Sequence, residues 1–150
     1  MLFRSARRRL THHPKFFLFD TGVFRALRPT GPLDQPAEID GAALETMFFQ
    51  QVCAELDWRD PRAEIFYWRT ATGLEVDFVV YSENIFAAIE IKRKRTVTRN
   101  DLRGMKAFAR DYPQVRKLLF YGGDHKEIID GVEVLPLQSS LARLGDILME

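Results

Sequence analysis

Glu90 and Lys92 stand two residues apart in FAAIEIKRKRTV (86–97), within an apolar run of Phe86, Ala87, Ala88, Ile89 and Ile91. A strand returns to the same face every second residue, so this one sets a carboxylate beside an ammonium. The preceding stretch LEVDFVVY (74–81) puts Glu75 and Asp77 on one face with Val79 and Tyr81, and Leu74, Val76, Phe78 and Val80 on the other. With the two strands as neighbours, Asp77 and Glu90 lie side by side. Two such acids repel, and burial disfavours both charges. A divalent cation relieves both costs. Mg²⁺, or Mn²⁺ in its place, takes oxygen ligands, keeps several waters and uses one or two carboxylates together with substrate phosphate. It lowers the pKa of a bound water and polarises a phosphoryl oxygen, which leaves Lys92 to orient the water or stabilise charge on the phosphate. Glu45 supplies a third carboxylate, because the helical stripe Phe48, Phe49, Val52, Cys53, Leu56 lands on it one turn earlier. The expected metal ligands are therefore Glu45, Asp77 and Glu90, and the expected catalytic group is Asp77, Glu90 and Lys92. The plainer reading is an ion pair of Glu90 and Lys92 with Asp77 on a half-solvated face.

These residues need elements to position them. The pattern predicts a helix over 39–58, with Asp40 as N-cap and Ile39 and Leu44 as a hydrophobic staple. Strands follow at 64–70 and 74–81, joined by a hairpin-length link, and at 85–92. A second helix over 98–113 opens on a Thr98–Asp101 capping box, buries Leu102, Met105, Phe108 and Ala109, and stops at Pro113. A fourth strand at 115–123, an edge strand at 131–137 and a last helix at 138–149 complete the chain. Ahead of the first long helix, 1–14 reads as a basic arm or linker remnant, 16–19 as a short strand before a turn and a brief helix, and the proline-rich 28–38 as a loop. The order αβββαβ over a single domain, 15–150, implies an α/β fold: a mixed central sheet flanked by helices with one right-handed crossover.

The charge balance limits what partners are plausible. With 22 basic and 21 acidic residues the chain is no polycation, so nucleic-acid binding has to rest on local clustering. The one local concentration near these acids follows Lys92: Arg93, Lys94 and Arg95, then Arg99, Arg103, Lys106 and Arg110 along one helix face. Arg69 is a further candidate phosphate clamp. DNA is the expected partner, contacted through phosphates without strong sequence preference; the alternative is a solvated helix face. Cys53 is the only cysteine, which excludes an internal disulfide, and His12, His13 and His125 are too scattered for a zinc cluster. No run of 18 apolar residues occurs, so no membrane association and a cytoplasmic location are expected.

Asp77 in LEVDFVV and Glu90-Ile91-Lys92 in IEIK resemble the signature of the PD-(D/E)XK nuclease superfamily. That resemblance implies a restriction-endonuclease-like core with an acid on the second strand and (D/E)-x-K on the third. The superfamily often adds a glutamate from the first helix, here Glu45. Val76 replaces the usual proline before the aspartate. Over about residues 14–140, KFFLFDTGVFRAL, YWRTATGLEVDFVV and IEIKRKRTVTRNDLRGMKAF together resemble the C-terminal domain of unknown function of prokaryotic AAA-family ATPases. No G-x-x-x-x-G-K-[ST] loop is present, so ATP hydrolysis is not implied for this chain. The resemblance implies either a Mg²⁺-dependent nuclease or a non-catalytic accessory domain that binds DNA or protein, with an ATPase partner or a homodimer as further associations.

Overall fold

In the computed structural model, which describes residues 17, 20–27, 31 and 36–150, a six-stranded sheet carries helices on both faces. The elements run α1 (Thr21–Leu27), α2 (Pro36–Arg59), β1 (Glu64–Arg69), β2 (Glu75–Tyr81), β3 (Phe86–Lys92), a 3-10 turn (Arg99–Leu102), α3 (Arg103–Asp111), β4 (Arg116–Tyr121), β5 (Glu127–Ile129), β6 (Val132–Pro136), α4 (Leu137–Leu141) and α5 (Leu144–Met149). The strand order is β1-β2-β3-β4-β6-β5. The two hairpins β1–β2 and β2–β3 are antiparallel, β3, β4 and β6 run parallel, and β5 returns antiparallel to β6. The sheet is thus mixed, as expected, with α3 as the crossover from β3 to β4.

Alternation along the strands feeds two apolar layers. Phe78, Val80, Ala87, Ile89, Ile91, Leu118 and Phe120 pack with Phe48, Val52 and Leu56 of α2 and with Leu144, Ile147 and Leu148 of α5. Aromatic rings thicken this layer: Phe17 stacks on Phe49 at 4.5 Å between centroids, and Phe48 meets Phe120 at 4.9 Å. On the other face Trp68, Val76, Val79, Ala88, Leu119 and Val134 pack with Leu102, Met105 and Phe108 at the start of the crossover. There α3 comes close to β2: a Cβ built on Gly104 falls 1.8 Å from the backbone oxygen of Glu75. Only a residue without a side chain fits that contact.

Several expectations shift. The helix expected from 39 begins at Pro36, inside the segment expected to be a loop. Proline suits a first helical position because its missing N–H has no intrahelical partner there anyway. Asp40 consequently lies within α2 and not at its N-cap. The helix expected from 98 opens as a 3-10 turn and becomes α-helical at Arg103. The segment 131–137 is not at the edge: β6 lies between β4 and β5, and β5 takes the edge. The turn between them is Asp130–Gly131, with φ of 51° and 75°, the doubly left-handed arrangement for which Asp-Gly is preferred in hairpins. The last helix is two short ones. The arm over 1–14 and, apart from Phe17, the strand over 16–19 lie outside the described residues.

Candidate functional site

The main departure from strict alternation falls in β2, where the candidate acid sits. Phe66 pairs with Val79, but Trp68 pairs with Val76, so β2 carries one residue more than β1 between these pairs. An extra residue in one strand is a β-bulge, which bends the strand and re-aims side chains. Its effect shows in the packing: Val76 and Val79, three apart, lie in the same apolar layer. Val76 and Phe78, expected together, lie in different ones.

Pairing of β2 with β3 runs from Tyr81↔Phe86 to Phe78↔Ile89. One step further along this register sets Asp77 opposite Glu90. The ladder ends there, and the Ile91 backbone N–H instead donates to Asp77 Oδ2 at 2.9 Å. The aspartate side chain thus satisfies a buried donor that the departing strand leaves behind. Asp77 and Glu90 are 2% and 5% exposed, so the acids are interior groups.

On β3, Ala87, Ile89 and Ile91 face α2, which sends Glu90 and Lys92 to the α3 side. Lys92 Nζ lies 2.6 Å from Glu90 Oε1. Glu90 Oε2 is buried without a hydrogen-bond partner. Burial, then the neighbouring Asp77 charge, pushes the Glu90 carboxyl up to about 8 against the pull of Lys92. Burial works against the Lys92 ammonium, yet Glu90, Asp77 and Asp101 more than offset it and hold its pKa above the ordinary lysine value. Burial dominates the Glu90 shift, and the surplus of acids over the single ammonium adds to it and keeps the proton on Lys92.

Glu75 contributes to this excess and accepts a hydrogen bond from the Tyr67 hydroxyl at 2.8 Å. From the sequence, Tyr67 is expected only as a core or sheet-face residue. Glu45 stands half-buried on α2, whose apolar stripe covers the opposite face from Glu90. Among the described residues no group of three or more His, Cys, Asp or Glu side chains could hold a metal ion. The structure therefore brings Asp77, Glu90 and Lys92 together and does not gather Glu45 with them. Two carboxylates and one orphan oxygen still fit a hydrated Mg²⁺, which needs only one or two protein carboxylates.

The basic residues beyond Lys92 are exposed but largely paired. Arg93 meets Asp40 of α2, Arg95 meets Asp124 after β4, and Lys94 Nζ lies 2.5 Å from Asp101 Oδ2. Asp101 also accepts the Thr98 backbone N–H at 2.7 Å, the helix-start contact expected from the sequence. Lys106 Nζ lies 2.7 Å and Arg99 Nε 3.8 Å from the same Asp130 oxygen. Arg103 donates to Asn100 at 3.4 Å. Arg69, at the end of β1, is the register partner of Glu75. No helix among the described residues is long and apolar enough to cross a membrane.

Residues 40–140, two thirds of the chain, match the family described as "Domain of unknown function (DUF4143)". The chain belongs to that family. The match begins within α2 and ends within α4, so it takes in the whole DUF4143 sheet together with Asp77, Glu90 and Lys92. The DUF4143 family is linked to AAA+ ATPases. Among curated proteins, none matches the chain.

Proposed function

We propose that this DUF4143 chain is a non-catalytic accessory domain of the kind fused to AAA-family ATPases, which keeps a PD-(D/E)XK-like architecture and docks onto DNA or a partner protein. The observation that carries this reading is the closure of the Asp77–Glu90–Lys92 set on itself. Lys92 is held 2.6 Å from Glu90, Asp77 is engaged by a strand N–H, and among the described residues no group of three or more His, Cys, Asp or Glu side chains is placed to hold a metal ion. Such a set holds the junction of β2, β3 and α3 in place. The family's link to AAA+ ATPases supports an accessory role.

One observation favours a second reading. The orphan oxygen of Glu90, buried opposite Asp77, is where a hard cation would be held, and a cation there would supply the Lewis acidity for cutting DNA phosphodiesters. A plasmid-cleavage assay in Mg²⁺ or Mn²⁺ separates the two. The accessory reading expects no nicking above background by the wild type or by Lys92→Met. Metal-dependent nicking by the wild type that disappears in Lys92→Met would establish the nuclease instead.

A further inference from the structure

Arg99, Arg103, Lys106 and Arg110 are all exposed along the outward side of the 3-10 turn and α3. From Arg103 to Arg110 they cover about 10 Å at the helical rise per residue. A line of cations matches a row of phosphates better than one compact anion. The row has an internal counter-ion. Asp130 comes from the β5–β6 hairpin turn, 24 residues on in the chain from Lys106, and its Oδ2 receives both Lys106 at 2.7 Å and Arg99 at 3.8 Å. Asp130 is more shielded than either cation, with 29% side-chain exposure against 44% and 84%. The hydrogen bond from Lys106 holds the Asp130 carboxyl below its ordinary pKa against burial, and the Lys106 and Arg99 charges add to the lowering.

We propose that Asp130 is an intramolecular latch on a nucleic-acid-binding face: its carboxylate occupies the place a backbone phosphate takes, and a phosphate must displace it to reach Lys106 and Arg99. This rests on the docking reading above and commits it to the sugar–phosphate backbone. The contact suits a latch because exposed ion pairs contribute little to stability, so opening it costs little. Release is local. The Asp130–Gly131 turn sits at the tip of a hairpin whose outer strand β5 is three residues long, and the opened cations stay on a helix anchored by Leu102, Met105 and Phe108.

The test exploits the turn chemistry. Asp130→Asn removes the charge but keeps a residue that suits the left-handed turn, since Asn-Gly serves there as well as Asp-Gly. Asp146→Asn is the control. It makes the same change in net charge on α5, across the sheet, where Asp146 pairs with Arg59. Fluorescence anisotropy with a mixed-sequence DNA duplex, at about 50 mM and about 200 mM salt, reads the affinity. Opening an exposed ion pair costs little, so Asp130→Asn should bind the duplex up to about fivefold more tightly than the wild type at about 50 mM salt, and this advantage should shrink at about 200 mM as the pair is screened. Asp146→Asn should show no such change. Asp130→Asn matching Asp146→Asn overturns the latch. In that case DNA binding by the wild type leaves the docking reading standing, and no binding by any variant removes its DNA form as well. An equal gain on a polyglutamate probe overturns the nucleic-acid assignment and points to an acidic protein surface.

Discussion

Replacing Glu90 by Gln should change how stability depends on pH more than it changes stability at any one pH. In the folded protein the Glu90 carboxyl is raised from 4.5 to about 8, chiefly by burial and then by Asp77. Between those values the native state holds a proton that the unfolded chain has released. The Glu90 contribution to stability is therefore highest below about pH 4.5 and falls as pH rises, by about 1.4 kcal/mol per unit, until the native carboxyl has ionised. The side chain is only 6% exposed, so solvent screening takes little from this figure, and the whole window is worth roughly 5 kcal/mol at most. Lys92 also titrates with a raised pKa, but the stability it contributes is complete below the unfolded lysine value and is lost only as pH climbs through the folded one. It adds no slope in the acidic and neutral range. Gln keeps the shape and cannot ionise. From about pH 5.5 to 7.5 the wild type should lose about 3 kcal/mol relative to Glu90→Gln, roughly 5–10 °C in melting temperature for a domain of this size. Urea unfolding followed by fluorescence measures this, because Trp68 is buried and reports on the core. Loss of the Lys92 partner shifts the variant's curve by a constant amount and leaves the difference in slope intact. Parallel pH profiles for the two proteins would refute the assignment of Glu90 as a proton-retaining interior acid.

The converse change, Lys92→Met, leaves two interior acids without their ammonium. Glu90 still holds its proton near neutral pH, so the cost there is about 1–3 kcal/mol and grows as pH rises through about 8, as measured by the same unfolding curves. Gly104→Ala drives a methyl group into the Glu75 backbone, and a loss of roughly 2–4 kcal/mol is expected from thermal melting. Asp101→Ala removes the acceptor for Thr98 and the partner of Lys94, which should cost about 1 kcal/mol and appear as faster amide exchange at the start of α3.

Much of the scaffold is visible in the sequence because local periodicity and burial agree there. The β1–β2 link, the Thr98–Asp101 helix start and the stripe Leu102, Met105, Phe108 are local patterns, and the structure keeps them. The faces of β2 are another matter. A bulge between Val76 and Val79 depends on how β1 pairs with β2, and no pattern within LEVDFVVY announces it. The adjacency of Asp77 and Glu90 is nevertheless legible, because β2 and β3 are consecutive strands with a short turn. Glu45 illustrates the limit of helical spacing: it lies in line with the stripe of α2, but that helix covers the other face of the sheet. The strand β5 had a readable signal in Asp130–Gly131 flanked by apolar residues. The pairing of Lys106 and Arg99 with Asp130 had none, because it spans the crossover and two strands.

The Asp77–Glu90–Lys92 set is either closed on itself or open to a cation. Calorimetric titration of Mg²⁺, and of Mn²⁺, into the wild-type protein and into Glu90→Gln tests this most directly. A non-catalytic domain with Lys92 as the resident counter-charge predicts no saturable heat in either protein. Stoichiometric binding to the wild type that is lost in Glu90→Gln would contradict it, and would make the orphan oxygen of Glu90 a metal ligand.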